Sequence, residues 1–195
     1  MVIASSSCHN IFLRSRIGVN FSGAVMYLIK YLKLADIFTV ANLSCGILSI
    51  IMSIEGNLVL GATLLFIAVI FDILDGKVAG LMHQKNSFGK QIDSMSDLIS
   101  FGVAPMFLFY ALQTPAPWVS VLLLFFITCG MFRLARYNIS EAQGFEGVPI
   151  TVNGVLFPVL FLIYNNFPAS LNIWPFIIVI QGLLMVSTLK ISRIF

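Results

Sequence analysis

Residues 58–81 read LVLGATLLFIAVIFDILDGKVAGL, an apolar run that ends on Asp72, Asp75 and Lys77. A run of this length suits a bilayer-crossing helix, which needs about 20 apolar residues. Carboxylates inside such a run are expensive, so their default reading is functional. A polar stretch follows, and then Gly89-Lys-Gln-Ile-Asp93-Ser-Met-Ser-Asp97 brings two more acids. Four of the eight Asp and Glu residues thus lie between positions 72 and 97. Four clustered carboxylates repel one another unless cations neutralise them, which points to divalent metal.

The surrounding composition agrees with a membrane setting. The chain is 59% hydrophobic and only 10% charged, with mean hydropathy +1.00. A soluble domain of this size carries about 25% charged residues. One helical bundle accounts for the length, and nucleic acid is not an expected partner. Cys8, Cys45 and Cys129 are odd in number and widely spaced, which excludes a disulfide framework or a metal knuckle. Cys45 and Cys129 fall in apolar runs and read as small core residues.

Six apolar segments can be read, near residues 37–54, 58–81, 92–112, 118–136, 148–164 and 173–189. The expected fold is an all-α integral membrane protein with six transmembrane helices, because an open strand cannot satisfy its backbone in lipid. All eleven Lys and Arg residues (14, 16, 30, 33, 77, 85, 90, 133, 136, 190 and 193) fall on one side of a six-span arrangement. The positive-inside rule then puts both termini and the acidic cluster at the cytoplasmic face of the cell membrane. Trp118 and Trp174 begin spans on the other side, where interfacial aromatics are expected. Residues 1–25 are Ser-rich and lack a signal-peptide pattern. They are expected to be a disordered or non-native extension, Met26 being an alternative start. Residues 26–195 are the expected membrane domain. The stretch from Met26 to Leu34 alternates apolar and basic faces, as in an amphipathic helix lying on the leaflet ahead of the first span.

Helical spacing organises the acids. Asp72, Asp75, Gly76 and Ala79 stand at i, i+3, i+4 and i+7, on one face of the second helix. Gly89, Asp93 and Asp97 are four apart, on one face of the third. If these faces meet, four carboxylates converge on one polar cavity, with Gly76, Ala79 and Gly89 leaving room beside them. Oxygen ligands alone favour hard ions such as Mg²⁺ or Mn²⁺. Such ions suit a phosphate-bearing substrate, and a two-metal clamp would stabilise a transferring phosphoryl group. Helix-end polar residues and an ion pathway are the competing readings. The position of every acid at one end of its span argues against a transporter.

The run Asp72-x-x-Asp75-Gly76-x-x-Ala79, with Gly89, Asp93 and Asp97 following, resembles the signature of the CDP-alcohol phosphatidyltransferase family. One position departs, since the family usually carries Arg where this chain has Gly80. Lys77, Lys85 and Lys90 are candidate substitutes, and a member that binds CDP-lipid without turnover is a further alternative. Three segments are similar to the phosphatidylserine synthase branch, including archaetidylserine synthases. They are Asp93-Ser-Met-Ser-Asp97 through Pro105, Cys129-Gly-Met-Phe-Arg133-Leu-Ala-Arg136-Tyr-Asn138, and Phe145-Glu-Gly147-Val-Pro149.

The resemblance implies a CDP-linked lipid held by its diphosphate on two divalent ions. Asp72, Asp75 and Asp93 would be the chief ligands, with Asp97 near the metals and also the general base for the serine hydroxyl. Displacement at phosphorus would release CMP. Gly76, Ala79 and Gly89 resemble positions that pack on the nucleotide. Thr39 and Asn42, three apart on the first span, can reach the diphosphate or form interhelical hydrogen bonds. Arg133 and Arg136 can hold the serine carboxylate or a lipid phosphate bidentately, or act as positive-inside anchors. Glycerol phosphate or inositol phosphate is the alternative acceptor. A homodimer is implied by the family alone. Acyl-ester and isoprenoid-ether tails, and Mg²⁺ and Mn²⁺, stay undistinguished.

Overall fold

The structure, a computed structural model, describes residues 34–81, 87–114, 116–139, 145–188 and 190–191. The expected N-terminal extension and amphipathic segment lie outside the described residues, as do His83, Lys85 and Glu141. Helix α1 is Leu34–Ile54, α2 Leu58–Leu81, α3 Ser87–Asp97, α4 Ala104–Leu112, α5 Pro117–Ile139, α6 Asn153–Asn166 and α7 Trp174–Val186. A π-helical turn, Leu98–Val103, joins α3 to α4 without a break. The 3₁₀ segments Ile150–Val152 and Pro168–Ile173 lead into α6 and α7. Five helices are long and apolar enough to cross a membrane, and Ile150–Asn166 is a shorter sixth. The chain is therefore a multi-span membrane protein. A two-residue antiparallel pairing of Phe145–Glu146 with Lys190–Ile191 is the one β pairing among the described residues.

The turn between α1 and α2 shows how local sequence sets the helix ends. Gly56 has φ +81°, a conformation that only glycine adopts without strain. Its N–H bonds to Ser53 O at 3.2 Å, and Asn57 N–H bonds to Met52 O at 2.8 Å. These two bonds are a Schellman closure of α1. Asn57 Oδ1 then accepts from Leu60 N–H at 3.4 Å and caps α2.

Burial is inverted relative to a soluble protein. Ile37, Leu124, Phe132, Phe176 and Leu183 lie exposed on the outside, while Thr39, Asn42, Asp75, Asp97, Ser100, Asn153 and Gln181 are buried. That is the pattern of helices meeting lipid outside and hydrogen-bonding to one another inside. Phe109, Phe126, Phe157 and Trp174 fill the apolar core. Trp174 begins α7 as expected, but its side chain is buried inside the bundle. It stacks on Phe109 at 5.8 Å between ring centroids and meets Phe157 edge-on at 6.0 Å. The 3₁₀ segment ahead of α7 carries the start of that helix into the bundle, where the core covers the indole. Trp118 is exposed, as expected.

Candidate active site

Alternation of chain direction brings the polar groups to one end of the bundle. The acids sit near the last turns of α2 and in the second half of α3, Thr39 and Asn42 near the start of α1, and Arg133 near the end of α5. Asp72, Asp75 and Asp93 each present a carboxylate oxygen, and these three oxygens lie within 4.8 Å of one another. The Asp72 carboxyl group lies within interaction range of Asp97 and of Thr151. Asp75 and Asp97 are 6% and 7% exposed, so water neutralises little of their charge. Three of the four carboxylates thus meet, and Asp97 lies within electrostatic range of them.

The first helix holds this cluster from behind. Thr39 Oγ1 donates to Asp75 Oδ2 at 2.9 Å. Asn42 Nδ2 donates to Asp97 Oδ1 at 3.2 Å. Backbone carbonyls of the same two residues accept from α3 and the π turn: Ser96 Oγ donates to Thr39 O and Ser100 Oγ to Asn42 O, both at 3.1 Å. Three of these bonds lock α1 to α3 and the π turn, and the Thr39–Asp75 bond ties it to α2. Close approach makes them possible. A Cβ added at Gly46 would lie 2.8 Å from Ser100 Cα, a contact that only glycine avoids. The expectation that Thr39 and Asn42 reach a diphosphate thus meets a different arrangement, in which both side chains already serve aspartates.

The two arginines diverge. Arg133 is 6% exposed and lies within electrostatic range of Asp97 and Asp72, with its Nε buried and unpaired. Arg136 instead donates to Val186 O at 3.0 Å and Ser187 O at 2.9 Å, at the C-terminal end of α7. Free carbonyls at a helix end attract a cation. The two side chains thus make different contacts. Near the acids, Lys90 Nζ donates to Tyr137 O at 3.0 Å and sits 4.5 Å from that ring's centroid. Ser94 and Asn138 exchange hydrogen bonds beside it. These contacts tie α3 to α5. Gly76 and Gly80 face open space, since a Cβ at either meets nothing within 4 Å. Ala79 and Gly89 are half-buried.

The three-aspartate cluster can hold a metal ion. Its donors are all hard oxygens, and Asp93 Oδ1 is buried with no hydrogen-bond partner. A buried carboxylate oxygen without a donor is costly, and a cation among these oxygens would satisfy it. Thr151, Ser96 and Ser100 escaped the sequence reading. The serines at i and i+4 in a membrane helix were the available signal; Thr151 left none, because a 3₁₀ turn ahead of α6 delivers it.

A family model described as CDP-alcohol phosphatidyltransferase matches residues 32–190. The chain belongs to that family. It is 36% identical over 172 residues to archaetidylserine synthase of Methanothermobacter thermautotrophicus, covering 85% of this chain and 72% of that protein. It is 32% identical over 165 residues to CDP-diacylglycerol–serine O-phosphatidyltransferase of Methanocaldococcus jannaschii, covering 84% and 76%. To the Bacillus subtilis protein of that same name it is 34% identical over 132 residues, covering 65% and 74%.

Proposed function

We propose that the protein transfers a lipid phosphoryl group from a CDP-linked lipid to the hydroxyl of L-serine, releasing CMP. The observation that carries this reading is the meeting of Asp72, Asp75 and Asp93 within 4.8 Å, with Asp97 in electrostatic range of all three. Family membership and the names of the relatives support the donor and acceptor.

Asp72, Asp75 and Asp93 would hold a pair of divalent ions, Mg²⁺ or Mn²⁺, which when bound neutralise diphosphate charge and stabilise the charge developed in displacement. Asp97 accepts the serine hydroxyl proton, oriented by Asn42. The serine oxygen forms its bond to the lipid-linked phosphorus as the bond to the bridging diphosphate oxygen breaks. CMP departs with that electron pair. Arg133, with its unpaired Nε, holds the serine carboxylate or the lipid phosphate. Gly76, Ala79 and Gly89 give the nucleotide room. Thr39 and Asn42 act through Asp75 and Asp97. The acidic end faces the cytoplasm in this reading, supported by the sequence positions of Lys and Arg in the six-span arrangement. A homodimer is proposed from family membership alone.

Purified protein with a CDP-lipid should release CMP only when serine and Mg²⁺ or Mn²⁺ are both present. Release with glycerol phosphate or inositol phosphate but not serine would overturn the acceptor assignment. Ion flux in vesicles without CMP release would overturn the enzyme reading.

A further inference from the structure

The π turn begins at the residue after Asp97. Within it Ala104 N–H returns to Ile99 O, five residues back. One extra residue in a turn rotates the helix beyond it by about 100°. That rotation lets Asp93 meet the α2 acids while Ala104, Leu108 and Phe109 fill the apolar core. The register of this turn therefore sets the direction in which the carboxylates point.

Pro105 follows the turn and has no N–H. The Phe101 carbonyl, four residues earlier, lacks the donor that a regular helix would supply. Asn153 Nδ2, at the start of α6, donates to that carbonyl at 3.1 Å. Gln181 Nε2, on α7, donates to Asn153 Oδ1 at 2.9 Å and fixes which way the amide faces. Phe101 and Asn153 are fully buried, and Gln181 is 7% exposed. A polar group left unpaired in such a core is costly, so each bond of this chain supports the next.

We propose that Asn153 and Gln181 are positioning residues, clamping from two other helices the π turn that aims Asp93 and Asp97. The proposal rests on the functional reading above for its metal site and its turnover.

The test uses the full chain in detergent with Asn153→Leu and Gln181→Met. Mn²⁺ binding is titrated by electron paramagnetic resonance, CMP release gives kcat and KM, and thermal melting reports the fold. Mn²⁺ affinity and kcat should each fall about tenfold, with KM for the CDP-lipid within about twofold, because small misplacement of reacting groups is costly. Adding Pro105→Ala to Asn153→Leu returns an N–H to the Phe101 carbonyl and should recover both. A lowered melting temperature with unchanged Mn²⁺ affinity overturns the proposal, and so does failure of Pro105→Ala to recover it. If Asn153→Leu does not fold, Gln181→Met, which removes one donor at similar volume, decides by the same comparison. Wild-type protein that binds Mn²⁺ but releases no CMP sinks the functional reading, while the Mn²⁺ titrations still decide this one. Wild-type protein that binds no Mn²⁺ overturns both.

Discussion

Asn42 and Asp97, 55 residues apart in sequence, are joined by a hydrogen bond of 3.2 Å between the amide nitrogen and a carboxylate oxygen. Asn42 Oδ1 is buried with no partner of its own, so the side chain is held chiefly by the acid it orients. Asn42→Ala should lower kcat about tenfold or more, since a misaimed base loses much of its effect. Asp97→Asn should abolish turnover while CDP-lipid binding persists. Steady-state CMP release beside equilibrium binding of the CDP-lipid separates the two.

Removing divalent ions with a chelator should stop CMP release, and Mn²⁺ or Mg²⁺ should restore it. Asp93→Asn keeps the shape but removes the charge beside the unpaired oxygen. It should raise the Mn²⁺ concentration for half-activity about tenfold, as expected for loss of one charged ligand. A metal titration at saturating serine checks this, and an unchanged midpoint would remove Asp93 from the ligand set.

Arg133 and Arg136 should behave differently despite being three residues apart. Arg133→Ala should raise KM for serine or for the CDP-lipid, in line with about 1.5–3 kcal/mol for a charge-assisted hydrogen bond. Arg136→Ala should instead lower stability by about 1 kcal/mol, through the carbonyls of Val186 and Ser187. Kinetics and melting curves on both variants give the comparison. Equal effects on KM would reunite the two side chains on one pocket.

Gly46→Ala should be poorly tolerated, because the new methyl group meets the backbone of Ser100. Overpacking of this kind costs about 1–3 kcal/mol. The loss should appear as a lower melting temperature. It should also lower kcat, since the same contact surface carries the Ser96 and Ser100 bonds.

Gly80→Arg should fold normally, as nothing lies within 4 Å of its added Cβ. An arginine there is expected to add a charge-assisted phosphate contact and to lower KM for the CDP-lipid about threefold or more. A rise in KM would show that this chain has settled on glycine for a different arrangement of substrate.

Much of this architecture was legible in advance. The second span was read as residues 58–81, and α2 runs Leu58–Leu81. Asp72 with Asp75, and Asp93 with Asp97, share helix faces because α3 is regular as far as Asp97 and α2 throughout. What escaped was the interhelical wiring. Thr39 and Asn42 read equally well as ligands of a diphosphate or as struts, and their bonds to Asp75 and Asp97 match the second description. Arg133 and Arg136 looked alike on the helix, yet the end of α7 arrives beside only one of them.

The sequence by itself determined that the chain crosses a membrane, where its helices run and which carboxylates share a face, because hydropathy and helical period are local properties. Tertiary structure alone decided which polar side chain answers which. The π turn after Asp97, the Asn153–Gln181 clamp and the parting of the two arginines arise where separate helices dock. In an apolar bundle each buried donor must take the acceptor that packing brings within reach.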